Sequence, residues 1–107
     1  MIVMKFGGTS VANSEAITRT ISIVRGKLSE KPIVVVSALS KVTDLLYKIA
    51  DQAASRNKAE TEVLLSQLRA RHTGLAHELL SGHPALCAEA CAKVDSICDE
   101  LESFVGA

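Results

Sequence analysis

Six consecutive residues near the start of the chain, Lys5-Phe6-Gly7-Gly8-Thr9-Ser10, combine the groups needed to hold a polyanion. A lysine leaves the end of a short apolar run, and two glycines follow at once. Glycine lets backbone N–H groups come close to an anion. Such groups, with the helix that follows, form a cradle for phosphate oxygens. The lysine adds a point charge for the β- and γ-phosphates, and the Thr9 and Ser10 hydroxyls can donate to phosphate oxygens. A plain strand-to-helix turn that needs its glycines for backbone reasons would carry the same residues. The order differs from the Walker pattern, because the lysine precedes the glycines.

A second group of small and hydroxyl residues follows the next apolar run: Ser37-Ala38, then Thr43. Tight packing would explain Ser37, and a helix cap would explain Thr43. Ligands of open parallel sheets bind beyond the carboxyl ends of the strands, however, and both groups occupy such positions.

The elements that would position these residues are legible from the pattern. Ile2 to Phe6 is apolar and partly β-branched and stops at Gly7-Gly8, which predicts a buried strand and a turn. Asn13 or Ser14 can cap a helix whose apolar stripe is Ile17, Ile21, Val24 and Leu28. Lys31-Pro32 ends that pattern. Ile33-Val34-Val35-Val36 predicts a parallel strand covered on both faces. Strand, helix and strand together fit one right-handed βαβ crossover. Three helices are predicted next. The first is capped by Thr43 or Asp44 and carries Leu45, Leu46, Ile49 and Ala53. The second runs from Ala59 to Leu80, with Val63, Leu64, Leu68, Leu75, Leu79 and Leu80 inward. The third opens at Pro84 and runs to about Phe104, with Leu86, Ala90, Val94, Ile97 and Leu101 inward. Two strands and four helices do not close an α/β domain, whose sheet normally has about five or six strands. Further strands beyond Ala107 are therefore expected.

Bulk properties narrow the function classes. The chain has 107 residues, room for one small domain. Twelve Lys and Arg balance twelve Asp and Glu, so the basic excess of a nucleic-acid grip is missing. No polybasic run suits an anionic membrane, and the apolar runs are too short to span a bilayer. The N-terminal order of charge and apolar residues is not that of a signal peptide, which makes the cytoplasm the expected location. Three aromatic residues, Phe6, Tyr47 and Phe104, are few for stacking bases.

Three cysteines make a poor disulfide framework. Cys87, Cys91 and Cys98 fall on roughly one helix face, with His83 one turn before Cys87. Structural zinc sites usually use tighter Cys-x-x-Cys pairs on turns. Small buried hydrophobes explain the spacing, and no metal site is assigned. His72 and His77 are expected at the surface, and the charges from Arg56 to Arg71 on a solvated helix face.

Lys5-Phe6-Gly7-Gly8-Thr9-Ser10-Val11-Ala12 resembles the opening signature of the aspartate kinases. Val34-Val35-Val36-Ser37-Ala38, followed by Val42-Thr43-Asp44-Leu45-Leu46, resembles that family's second signature block. The stretch from Ala59 to Phe104 is similar to the helical insertion of its lysine- and threonine-regulated branches. The resemblance implies an α/β fold: an incomplete three-layer amino-acid kinase fold, with a parallel βαβ start and a helical segment. Residues 1–107 would be the N-terminal part of the catalytic domain, without its remainder or the ACT regulatory domains. The activity implied is ATP-dependent phosphorylation of the side-chain carboxylate of L-aspartate, the first step towards lysine, threonine and methionine. Lys5 would be catalytic. Lys5, Phe6, Gly7, Gly8, Thr9, Ser10 and Ser37 would bind ATP phosphates, and Thr43, Ser37 and Ala38 would border aspartate. Mg2+ is implied with ATP, although no carboxylate here is a convincing ligand. ATP and L-aspartate are the implied partners, and the resemblance admits a homo-oligomer. The glutamate, arginine and aspartate groups that the family places near its substrate are missing, so the chain alone is expected to be inactive. The alternative is a non-catalytic helical interaction module or a phosphate-binding module.

Overall fold

The computed structural model describes residues 1–106. It divides into two compact units, Met1–Thr43 and Asp44 onward.

The first unit is a βαβ element. Strand β1 (Ile2–Phe6) leads through a 3-10 turn (Gly8–Val11) into helix α1 (Ser14–Arg25). A second 3-10 turn (Leu28–Glu30) returns the chain to strand β2 (Pro32–Val36). The strands are parallel and in register from Ile2 opposite Pro32 to Phe6 opposite Val36, so both end at the same level. Pro32 has no N–H, and the first residue of a strand is where that loss is tolerated. Of the two predicted caps, Asn13 is the one used: its Oδ1 accepts from the Ala16 N–H at 2.9 Å. Glu15 in the first turn and Arg25 in the last complement the helix dipole.

The expectation that β2 is covered on both faces is not met. Ile33, Val34, Val35 and Val36 are 49, 42, 44 and 56 % exposed. Successive side chains of a strand alternate between faces, so both faces of β2 are open. One crossover helix and one neighbouring strand cannot cover them. On the α1 side an apolar groove of about 510 Å³ runs between Ile21, Val24 and Leu28 and the side chains of Val34 and Val36. The predicted α1 stripe is therefore only part of its inward face, and the residues it buries most deeply are Ala16 and Thr20.

Helix α2 (Val42–Ala54) begins at the end of this unit. Thr43 and Asp44 lie inside its first turn, so neither is the residue that precedes the helix. Ile49 is its most deeply buried side chain, 2 % exposed.

The second unit contains helices α3 (Lys58–Leu79) and α4 (Pro84–Val105), which pack on each other. Asn57 caps α3, its Oδ1 accepting from the Glu60 N–H at 3.2 Å. Pro84 opens α4 in its first turn, where its missing N–H is no loss. The inward faces differ from those predicted. Helix α3 buries Thr61, Leu64, Leu65 and Leu68, while Val63 is exposed. Helix α4 exposes Leu86 and Ile97. Its seam is turned by one position: Cys87 and Cys98 are buried, and Cys91, Val94, Leu101 and Val105 are half-buried between and beyond them. Steps of four, three, four, three and four residues hold one helix face in contact with a partner. The cysteines are thus core residues at heptad spacing, and the larger Leu86 and Ile97 fall on flanking positions.

The α/β reading stands: a parallel βαβ start followed by a helical segment, consistent with part of an amino-acid kinase fold. Among the described residues, no helix is long and apolar enough to cross a membrane.

Candidate active site

The equal strand ends bring the first two motifs together. The Ser37 N–H donates to the Phe6 carbonyl at 3.0 Å, which continues the ladder one step beyond β2. The chain after Gly7 closes on itself, the Ser10 N–H donating to the Gly7 carbonyl at 3.0 Å. Helix α1 holds this turn from behind, since the buried Thr20 Oγ1 donates to the Ser10 carbonyl at 2.8 Å. Gly8 faces the segment that follows β2. A Cβ built on it would lie 3.7 Å from the Ser40 Cα and 3.8 Å from the Ser37 Oγ. The Ser37 hydroxyl donates to the Ala38 carbonyl at 2.8 Å and so shapes its own loop. Lys41, the last residue before α2, sits in the left-handed region at φ 67°. A non-glycine residue there stores strain, and such positions cluster at ligand sites and turns.

The two glycines distinguish a backbone requirement from a ligand requirement. Among the described residues no glycine has positive φ. A Cβ on Gly7 would meet nothing within 4 Å, and one on Gly8 would make ordinary van der Waals contacts. Neither torsion angles nor packing within the chain calls for glycine at these positions. The remaining physical use of a missing Cβ is open access to the backbone from outside.

Around that opening the polar groups are cationic or neutral donors. Lys5 and Thr9 are exposed, and neither has an ion pair or side-chain hydrogen bond among the described residues. The acidic residues of this unit are Glu15, in the first turn of α1, and Glu30, paired with Lys27 at 3.4 Å. A protein-held Mg2+ is bound through carboxylate oxygens. The donors at the strand ends do not fit that ion. Thr43 is exposed in the first turn of α2, and among the described residues no hydrogen bond joins it to the Gly7-Gly8 turn. Lys5, Phe6, Gly7, Gly8, Thr9, Ser10, Ser37 and Ala38 are thus gathered at one strand edge, and Thr43 is not joined to them. Thr20 and Lys41 were not singled out from the sequence. Thr20 was detectable as a polar residue one turn after Ala16 on the inward face of α1. A positive φ at lysine leaves no compositional trace.

In the helical unit the sequence reading missed Arg69. Its side chain, 27 % exposed, reaches Asp95 and Asp99 at 2.8 Å each and Glu102 at 3.6 Å. The three carboxylates share one face of α4. Hydrogen bonds that the guanidinium donates to Asp95 and then Asp99 hold it firmly charged. The charges between Arg56 and Arg71 are therefore not only a solvated face. Beside this network the buried Cys98 thiol has its pKa raised above the usual 9.0, first by burial. Arg69 opposes the rise, and Asp95, Asp99 and Glu102 add to it. His72 is half-buried, with Nδ1 at 2.8 Å from the Leu68 carbonyl. His83 precedes α4 as its first flanking residue. His77 is exposed, but its ring lies against Cys87 and Cys91.

The sequence model of the amino acid kinase family matches residues 1–101, and the chain belongs to that family. The relatives that it matches include proteins named as aspartokinases. The chain is 44% identical over 103 residues to the protein of Arabidopsis thaliana named bifunctional aspartokinase/homoserine dehydrogenase 1, chloroplastic, covering 96% of this chain and 9% of that protein. It is 42% identical over 72 residues to the aspartokinase of Rickettsia prowazekii, covering 62% of this chain and 16% of that protein. It is 35% identical over 79 residues to aspartokinase 3, chloroplastic, of Arabidopsis thaliana, covering 72% and 14% respectively. The chain thus spans between 9% and 16% of the length of these relatives.

Proposed function

We propose that residues 1–107 are the opening part of the catalytic domain of an aspartate kinase, and that they position ATP phosphates for transfer to L-aspartate. The observation that carries this reading is the Gly7-Gly8 turn, open to solvent and free of any backbone reason for its glycines, beside an unpaired Lys5. Backbone N–H groups at the turn receive the phosphates, Thr9 and Ser10 support the turn, and Ser37 and Ala38 border the transferring group. Lys5 offsets negative charge as it spreads over the γ-phosphoryl oxygens. In the transfer, a carboxylate oxygen of aspartate bonds to Pγ, the bond from Pγ to the bridging β,γ-oxygen breaks, and ADP leaves. The acceptor has an ordinary pKa of about 3.9 and is already ionised at neutral pH. The site therefore needs no general base, in keeping with its lysine and hydroxyl groups. Magnesium would arrive with the nucleotide. Thr43 contacts aspartate only if the turn preceding α2 closes towards the strand ends. The chain alone performs the positioning and not the turnover.

The test uses the chain as given and a chimera in which it replaces the matched opening segment of the Arabidopsis bifunctional enzyme. Aspartyl phosphate is trapped with hydroxylamine as the hydroxamate. The chimera should form hydroxamate with ATP, Mg2+ and aspartate, and Lys5→Ala should lower its rate about 10²–10³-fold, as for loss of one transition-state donor. The chain alone should form none, while ATP should still protect Lys5 from amine modification. A folded chimera without aspartyl hydroxamate would overturn the reading.

A further inference from the structure

His77 belongs to the last turn of α3, and Cys87 and Cys91 stand one turn apart at the start of α4. The three side chains converge. The Cys87 Sγ lies 3.3 Å from the His77 Nδ1, and the Cys91 Sγ lies 3.8 Å from the Nε2. One nitrogen and the two sulfurs fall within 4.8 Å of one another. Tetrahedral zinc, with bonds of about 2.3 Å to sulfur and about 2.0–2.1 Å to nitrogen, separates its ligand atoms by about 3.5–3.8 Å. The two short distances go to different ring nitrogens. With a single nitrogen the three ligand atoms lie within 4.8 Å of one another, at most about 1 Å wider than one face of such a tetrahedron. Rotation of the exposed His77 side chain can close that gap. A spacing of four residues on one helix face is also that of the paired histidine ligands in helical zinc sites.

We propose that His77, Cys87 and Cys91 form a site for a thiophilic divalent cation of the zinc class, with a fourth position open to water. The donor set is two sulfurs and an imidazole without a carboxylate, which selects against Mg2+ and Ca2+. As the ion binds, each thiol releases its proton to solvent and forms a metal–sulfur bond, while the imidazole gives a lone pair. No electron is transferred. The exposed His77 and half-buried Cys91 provide the entry path, and the buried Cys87 forms the floor. Burial, and next the neighbouring Cys87, push the Cys91 thiol pKa up, so the ion must displace the Cys91 proton against that shift. A bound ion would tie the end of α3 to the start of α4, stabilising the hairpin by mass action. The set differs from the Cys87, Cys91, Cys98 and His83 constellation suggested by spacing. His77 replaces His83, and Cys98 lies outside the group, which makes it an internal control.

The test is titration of the reduced chain with Co2+, followed by Zn2+. The expected result is one Co2+ per chain with thiolate-to-cobalt charge-transfer absorption and the strong visible bands of tetrahedral coordination, all displaced by Zn2+. Cys98→Ala should leave these bands in place. His77→Ala and Cys91→Ser should each weaken Co2+ binding by about tenfold or more, with helical circular dichroism retained. His77 is exposed, so His77→Ala tests the site even where Cys91→Ser disturbs packing. Binding without thiolate absorption, binding only at millimolar Co2+, or unchanged affinity in His77→Ala would each overturn the proposal.

Discussion

Alanine at Gly7 or Gly8 should separate stability from phosphate binding. In the folded chain a methyl group at Gly7 has open space around it, and one at Gly8 meets its nearest neighbour at 3.7 Å. Both residues keep φ outside the left-handed region. The substitution then acts mainly by restricting the unfolded chain, which stabilises by about 0.4–1 kcal/mol. For a chain of this size that is a rise in Tm of about 2–8 °C. The effect on a bound phosphate is opposite. Its oxygen must come within about 2.9 Å of the backbone nitrogen, where a new Cβ intrudes. Loss of one hydrogen bond to a charged oxygen removes about 1.5–3 kcal/mol. Affinity for ATP should fall about 10- to 150-fold. The assay pairs thermal melting with a chemical-shift titration in which ATP moves the Gly7 and Gly8 amide signals. Alanine variants that bind ATP like the parent chain would refute the cradle. Variants that lose stability would show that the turn needs its glycines after all.

Four further outcomes can be checked. Lys5→Ala should leave Tm within about 1 °C of the parent, because the side chain is exposed and unpaired, while ATP binding weakens in a salt-dependent way. Arg69→Ala should lower the Tm of the α3–α4 hairpin more than Arg69→Lys, since lysine keeps the charge but cannot span two carboxylates with one planar fork. Cys98 holds its proton more tightly in the folded chain than in the unfolded one, so its contribution is complete below the ordinary thiol value of 9.0 and declines as pH rises above it. Alkaline melts of Cys98→Ala should accordingly show a shallower decline than those of the parent. Lys31, held at φ 51°, should tolerate glycine with a gain of about 1 kcal/mol, read by denaturant unfolding.

The parts legible in the sequence were those set by local rules. Gly7-Gly8, Asn13, Pro32 and Pro84 marked the end of β1 and the starts of α1, β2 and α4, since caps and turn residues act on their own backbone. The strand-end site was legible for the same reason: parallel pairing of β1 with β2 puts the residues after each strand side by side. Helix rotation was not legible. Leu86 and Ile97 are more apolar than Cys87 and Cys98, yet the cysteines fill the seam, because fit against α3 decides which face turns inward. Arg69 escaped for a related reason. Its partners Asp95, Asp99 and Glu102 lie a helix away, and nothing local distinguishes it from Arg71. The open state of β2 was also hidden, since a run of branched residues announces a need for cover without showing what supplies it.

That open strand has a consequence for handling the molecule. A sheet of two strands leaves each with an unpaired edge, and β2 presents its edge along an apolar run with no charge between Lys31 and Lys41. Segments of about six residues with high β-propensity and no charge are those that stack between copies. Lys31 and Pro32 guard one end of the run, and the other end, Ser37-Ala38, carries no such gatekeeper. Shelf life should therefore depend on concentration and time as much as on unfolding free energy. A charge placed at Val35 should lengthen it more than substitutions that raise Tm.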